Sequence, residues 1–522
     1  REIAYAQQKK HKRKKIFIEL VIFRFITIAI ATIIYWCTPP KFRWTVLLGC
    51  SLFFIWHTNG GSIRAIILML LMVEVAYLSA VISSNLDNSR TRKIITIVSV
   101  IIEAGLLIIL KENAFFLYRL HVDFNNVSFI RLVAPFGISY FTLSLIGYIL
   151  DTYWEVQDVE KNPLKFLLFG TYFPLLTSGP IVKYCDTGEE LIKEHRFSYT
   201  KIAFGCQRIL WGIFKKLVIS ERLSTIVTTI YDNPDRYPGL YIWIAIMLFV
   251  VQLYTDFSGC LDIVYGVSDV FGIKLPENFD HPFAATSLSE FWRRWHITLG
   301  NWLKEYVFYP IMKSNIMITL SGHLRQKFGK KYGKKMSSCV GLFFSWFLIG
   351  FWHGGTMNYI FGVGLWMWFI ISLSELLENI FKRISVSLGF NTNCYSWKLF
   401  QRIRTYVLFA LGLGFFPAKG FLSGVKLYRA GFWAKNPWIL FDGSLLQLGL
   451  TAADYNVLVF SMIILVVAGL ISLEKKVSLR EWISNQNFMF RWMIWIFLFV
   501  FTLLCGKYGP GYNAADFIYK GF

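Results

Sequence analysis

The chain has 522 residues, of which 55% are apolar, 18% aromatic and only 16% charged, and its mean hydropathy is +0.49. A soluble chain carries about a quarter charged residues, so intrinsic disorder, a disulfide-stapled secreted scaffold and a soluble enzyme all fit poorly, whereas an all-α polytopic membrane protein fits. The formal charge of +22 would raise nucleic acid as a partner of a soluble protein, but here the basic residues fall in short clusters between apolar runs, which is the pattern of the positive-inside rule and of contact with anionic membrane lipid.

The first cluster, Lys9 to Lys15 within a basic segment 1–15, precedes an apolar run over 16–36. That run is too long for a signal-peptide core and has no small-residue cleavage site, so it is expected to span the membrane with the N-terminus in the cytoplasm. Apolar stretches of roughly the length that crosses a bilayer predict further spans at 44–57 (short), 63–84, 94–110, 129–150, 202–230 and 237–273. Residues 134–154 read as an ordinary membrane helix whose start is broken by Pro135 and Gly137. Residues 164–183 contain Gly170, Pro174, Gly179 and Pro180, so a straight helix is not expected there. Backbone freed at membrane depth must be buried in protein or line a wet cavity, which predicts a broken or re-entrant segment.

The block 285–312 mixes aromatics with charges and predicts amphipathic helices at the interface or inside the bundle. The loop 323–335 holds six Lys/Arg and is expected on the cytoplasmic side as a topology anchor; the sharper reading is a docking patch for an acidic cytoplasmic partner. The stretch 336–374 is uncharged. At ~1.5 Å rise per residue it is too long for one span and right for two, with Gly354-Gly355 as the break. Candidates at 404–416 and the residues after it, 455–473 and 490–506 complete the set. No fixed-period repeat or low-complexity linker interrupts the chain, so a single membrane domain over 1–522 is the simplest organisation.

The eight cysteines form no CxxC pair and mostly sit in apolar runs, so disulfide and zinc readings both fail on spacing. Of the eight histidines, two stand out. His296 lies in the apolar-aromatic block FWRRWHITLGNWL, and His353 lies in FLIGFWHGG, inside the uncharged stretch. Ionisable residues at such depth are costly and usually face a cavity or a partner. An imidazole is mostly neutral, and so basic, near pH 7, which suits it to take a proton from a hydroxyl. There is no GxSxG elbow and no HExxH, so neither a serine-nucleophile arrangement nor a metal is expected. A second constellation, QLYTDFSGCLD, carries Asp256, Ser258 and Asp262 at the end of an uncharged run. The bland reading is that one aspartate caps a helix and the other pairs with Arg293 or Arg294; the functional reading is that an aspartate orients a histidine or lines an acceptor channel.

Taken together these pieces resemble the membrane-bound O-acyltransferase (MBOAT) family, in its bacterial AlgI/DltB-like branch. The residues that carry the resemblance are PFGISYFTLSLIGYILD (135–151), FPLLTSGPI (173–181), QLYTDFSGCLDI (252–263), ENFDHPFAATSLSEFWRRWHITLGNWLKEYVFYPI (277–311), GFWHGG (350–355) and the ending NAADFIYKGF. The resemblance implies a ring of about eleven helices around a thin central wall with a tunnel, and a catalytic core region at 277–375. It implies that His353 matches the family's catalytic histidine and His296 the second histidine lining the tunnel, with Asp256, Ser258, Arg293, Trp295 and Trp352 around the pocket. It implies an acyl thioester donor (acetyl-CoA or an acyl-carrier protein) in the cytoplasm and a polysaccharide or wall-polymer acceptor outside a bacterial plasma membrane. An extracellular AlgJ-type partner with an SGNH hydrolase-like domain is implied as well. Acetyl transfer is expected of the AlgI-like subgroup, which the length and ending favour, and D-alanyl transfer to teichoic acid of the DltB-like one. A transporter or flippase would share the broken helices but should show paired interruptions in two halves, which the sequence lacks.

Overall fold

The computed structural model describes residues 26–111, 135 and 137–508. The basic cluster Lys9 to Lys15, the first part of the 16–36 run, the start of the 129–150 candidate and the ending NAADFIYKGF lie outside the described residues. The described residues are mainly helical, and their one β-type pairing is an isolated antiparallel bridge between Phe279 and Trp295.

Seven helices among the described residues are long and apolar enough to cross a membrane: Ile63–Ser84, Ser89–Leu110, Leu240–Val270, Asn315–Trp352, Met357–Leu376, Ala452–Lys475 and Phe488–Cys505. Helices Ile26–Cys37 and Arg43–Thr58 are apolar but shorter. The expected count of eleven is therefore not reached by length and composition alone. The predicted break at Gly354-Gly355 is present, with one helix ending at Trp352 and the next starting at Met357. The 164–183 segment is broken as expected: Asn162 caps a helix Pro163–Thr171, and a one-turn helix Leu175–Ser178 follows Pro174. The block 285–312 forms short helices Leu288–Arg294, Ile297–Leu303 and Tyr309–Lys313.

The 323–335 segment differs from the expected loop. Helical backbone runs through it on both sides of Gly329, whose φ of 80° and ψ of 160° break the helix Asn315–Trp352. The two arms fold back on each other. Ser337 Oγ meets Ser321 Oγ at 3.2 Å, and a Cβ on Gly333 would strike the Arg325 backbone. A single left-handed glycine thus turns a basic loop into the tip of a helical hairpin.

The described chain divides into two compact units. The first holds residues up to Arg222, Gln252–Pro276 and the segment from Ala453 onward; the second holds Leu223–Val251 and Glu277–Ala452. In the first unit, helix Tyr199–Phe214 meets helix Leu240–Val270 backbone to backbone. A Cβ on Gly205 would sit 2.6 Å from the Gly266 carbonyl oxygen, and one on Gly212 would sit 2.5 Å from that of Gly259. Small residues at crossing points are the usual device for close helix packing in lipid. The second unit uses the same device. Gly350 abuts the backbone of Tyr359 and Ile360, and Gly364 abuts the Trp346 carbonyl, so the helices on either side of the Gly354-Gly355 break lie against each other.

Candidate functional site: two buried histidines on one tryptophan

His353 caps the C-terminus of the long helix, its N–H bonding the Ile349 carbonyl at 3.1 Å. The chain then turns through Gly354 (φ 143°) and Gly355 (φ 63°). Both angles favour glycine, and a Cβ on Gly354 would also press into the Tyr359 ring. Thr356 and Asn358 fasten this turn. The Thr356 hydroxyl donates to Asn358 Oδ1, while Asn358 Nδ2 donates to the carbonyls of Phe415 and Ala418 at 3.4 and 3.3 Å. The His353 ring lies against Phe416, centroids 5.9 Å apart, and is 3% exposed.

His296 is held by a different strap. It sits at the head of helix Ile297–Leu303 with φ 48° and ψ 49°, a left-handed conformation uncommon for any residue but glycine. Asn278, fully buried, fixes it. Asn278 Oδ1 accepts from both the backbone N–H and the hydroxyl of Thr298 at 2.9 Å, and the Asn278 carbonyl accepts from Ile297 N–H at 3.1 Å. Two residues further, Asp280 N–H donates to the Arg294 carbonyl at 3.0 Å. The strand-like pair 278–280 and 294–298 therefore clamps the turn on both sides of the histidine. The imidazole is 2% exposed and lies outside the candidate spans. Burial pushes its pKa down to about 3, because an imidazolium there would lose its hydration.

Trp352 joins the two. Its indole stands edge-on to the His353 ring (centroids 4.8 Å, 74°) and edge-on to the His296 ring (6.0 Å, 73°). Around them Trp295 stacks on Phe291 at 5.5 Å and Phe291 meets Phe409 at 4.2 Å. Such a wall excludes water, and in it a neutral imidazole can take a proton only from a group bound beside it. At the entrance to helix Leu288–Arg294, Ser287 caps the backbone and Glu290 accepts from both donors of Thr286. Burial alone would raise the Glu290 pKa, but these bonds and the Arg294 guanidinium hold it below the ordinary carboxylate value.

Of the residues singled out in the sequence, His296, His353, Trp352 and Trp295 come together in the second unit. Arg293 is exposed on the short helix before them, while its neighbour Arg294 pairs with Glu290 at 3.0 Å. Asp256 and Ser258 belong to the first unit. There the expected pairing with Arg293 or Arg294 is replaced by lysines of the same unit. Lys216 Nζ reaches Asp256 Oδ1 at 2.5 Å and Glu221 at 2.7 Å; Lys215 Nζ reaches Ser258 Oγ at 2.8 Å and Asp262 Oδ2 at 2.7 Å; Arg208 reaches Asp262 Oδ1 at 2.8 Å. Arg222 continues the series to Asp454 at 3.1 Å. Adjacent lysines can both face the same helix because residues Lys215–Ser220 form a π-helical turn, which holds one more residue than an α-turn. The physical reason for the correction is proximity along the groove: a buried carboxylate needs a cation at contact distance, and the Lys215-Lys216 doublet supplies it.

Sequence reasoning missed that doublet, although two lysines inside the apolar run 202–230 were its signal. It also missed Asn278 and Asn358, whose importance lies in where their amides point. Among the described residues no three His, Cys, Asp or Glu side chains gather as a metal site would require.

The described residues thus form a mainly helical protein with seven candidate membrane spans and two buried histidines on one aromatic wall. Residues 155–322 match the model of MBOAT, the membrane-bound O-acyltransferase family. The match includes His296 and ends before His353. A protein of Pseudomonas aeruginosa named "Probable alginate O-acetylase AlgI" is 30% identical over 345 residues, 65% of this chain and 59% of that relative. The "Peptidoglycan O-acetyltransferase" of Helicobacter pylori is 25% identical over 417 residues, 75% of this chain and 73% of that relative. The "Teichoic acid D-alanyltransferase" of Bacillus subtilis is 30% identical over 244 residues, 44% of this chain and 56% of that relative. The chain spans between 52% and 59% of the length of the Pseudomonas alginate O-acetylases it matches.

Proposed function

We propose that this protein is a membrane-embedded O-acyltransferase that moves an acetyl group from a cytoplasmic thioester to a hydroxyl of an extracellular polysaccharide or wall polymer. It would sit in a bacterial plasma membrane with its N-terminus in the cytoplasm, and an extracellular acyltransferase partner would share the transfer. The observation that carries this reading is the pair of buried histidines on one indole, in a chain that matches the family over 155–322 and is similar to acetyltransferases of surface polymers.

His353 is the general base. It takes the proton of the acceptor hydroxyl as that oxygen attacks the thioester carbonyl carbon. The tetrahedral intermediate collapses, the C–S bond breaks, and the thiolate leaves with the proton returned from the imidazole. The products are an ester and a thiol. His296, held neutral by burial, positions the carbonyl or the acceptor as a hydrogen-bonding group. Coenzyme A or the prosthetic thiol of an acyl-carrier protein would be the leaving group. The teichoic-acid relative supports D-alanyl transfer as the second reading; the chemistry is the same and the acyl group differs.

The test is complementation of a deletion strain with wild-type protein and with His353→Ala, followed by mass analysis of esters released from the surface polymer. Removing a general base costs ~10²–10⁴-fold in rate, so ester should fall to background with protein level and membrane insertion unchanged. Normal acylation by His353→Ala would reject the assignment, and the mass of the released acyl group separates acetyl from D-alanyl.

A further inference from the structure

The hairpin tip at Gly329 and the helix Glu378–Ser387 both lie in the second unit, and neither takes part in the histidine site. Two candidate spans end beside them. The uncharged stretch that runs to Trp352 begins after Lys335, and the span Met357–Leu376 ends just before Glu378. Lys335 ties the two ends together, reaching Glu375 at 3.3 Å and Glu378 at 2.7 Å. Asn379 Nδ2 adds a bond to the Tyr332 hydroxyl at 3.2 Å. These contacts fix one level, at which apolar sequence gives way to charge on both helices.

Beyond that level the surface is basic. Segments 321–335 and 375–387 hold eight Lys/Arg against two glutamates. Lys335 and Lys382 use those glutamates. Arg325, Lys327, Lys330, Lys331 and Lys334 are all exposed, and no ion pair is found for them among the described residues. Phe328 and Tyr332 stand exposed between them. The tip reaches about 9 Å past Lys335, six residues at ~1.5 Å each, roughly the depth of one head-group layer.

Helix Glu378–Ser387 carries the second observation. Ile380, Phe381, Ile384 and the following Leu388 recur at helical spacing on one face, and all are exposed; Lys382 and Arg383 lie beside that face. No residue of this helix is buried. A basic amphipathic helix that begins where a span ends, with its apolar stripe uncovered, is built to lie in the interfacial plane of a membrane. A protein partner would not require apolar groups and cations to meet at the level where two spans end; a lipid leaflet does.

We infer that the hairpin tip and helix Glu378–Ser387 form a platform that binds anionic phospholipid head groups. The apolar stripe with Phe328 enters the acyl boundary, and the five unpaired cations of the tip hold the phosphates. Each Lys/Arg near an anionic leaflet contributes a factor of about five in binding, so the platform selects the lipid by charge and not by shape.

The full chain, purified in mild detergent with mixed phosphatidylglycerol and phosphatidylethanolamine, tests this by native mass spectrometry of the retained lipids. The wild type should keep phosphatidylglycerol in preference, and the preference should weaken with salt. The variant carrying Lys327→Gln, Lys330→Gln, Lys331→Gln and Lys334→Gln should lose it by about fivefold or more, and the matching Lys→Arg variant should keep it. Size exclusion and thermal unfolding show whether each variant is folded. Equal phosphatidylglycerol preference in the wild type and a folded Gln variant overturns the inference. So does a wild type that binds soluble polyglutamate through these lysines yet shows no lipid preference, because the patch then docks an acidic protein.

Discussion

The imidazole of His296 stands edge-on to the indole of Trp352, ring centroids 6.0 Å apart at 73°, and that indole is in turn edge-on to the neighbouring His353. Trp352 is thus a shared wall, and its removal should act on both histidines at once. Trp352→Ala is expected to lower acyl transfer by at least about tenfold and to destabilise the chain by ~3–5 kcal/mol. Trp352→Phe, which keeps an aromatic face but changes its edge, should be milder on both counts. Polymer ester content measured beside thermal unfolding in detergent separates the two effects.

Asn278 holds the turn that carries His296 through its bonds to Ile297 and Thr298. Asn278→Ala removes the acceptor for both Thr298 donors and frees a left-handed turn. A misplacement of about 1 Å can cost ~10²-fold in rate, so transfer should fall on that scale. Thr298→Val deletes only the hydroxyl donor and leaves the backbone bond, so its cost should be near ~1 kcal/mol. Equal rates for Asn278→Ala and wild type would remove the strap from the account.

The depressed pKa of His296 has a definite sign. The folded value is about 3 and the unfolded value ~6.5, so between these limits the unfolded chain binds more protons than the folded one. Stability contributed by keeping this ring neutral is complete above the unfolded value and is lost as pH falls toward the folded one. His296→Gln should therefore flatten the acid limb of a thermal-stability profile between pH 6.5 and 4, while any titration near neutrality in the rate profile should survive it. A mid-pH rate limb that disappears in His296→Gln would reassign the base.

In the first unit, Lys216→Met leaves Asp256 buried without its nearest cation. Breaking a buried pair costs ~3–5 kcal/mol, while replacing both partners by apolar residues can be neutral. The double variant Lys216→Met, Asp256→Leu should then recover much of the loss, and a double-mutant cycle by thermal unfolding measures how much. Additive losses would mean the two side chains do not depend on each other.

Much of this architecture can be read from residue order because lipid imposes simple rules. The uncharged runs 237–255 and 455–473 point to the spans Leu240–Val270 and Ala452–Lys475, and Gly354-Gly355 marks the break between two others. The cost of burying an ionisable group points to His296 and His353, which are buried together on one indole. What stays hidden depends on backbone twist and side-chain aim. The tip at Gly329 reads as a loop because its dense cations mark it as solvent-facing between two apolar runs, although lysine itself favours helix. The partners of Asp256 and Asp262 lie about 40 to 54 positions earlier in the chain, beyond the reach of local pattern. Asn278 and Asn358 carry no hydropathy signal, and their value lies wholly in the bonds they make.

The wide turn at Lys215–Ser220 holds one residue more than an α-turn, so a one-residue deletion inside it can be absorbed locally. The coil would tighten to an ordinary α-turn while the helices on either side kept their facing, and Arg222 would stay in reach of Asp454. What such a deletion would take away is the doublet: Lys215 and Lys216 could no longer both reach Asp262 and Asp256. The extra residue therefore serves the buried charges and not the path of the chain.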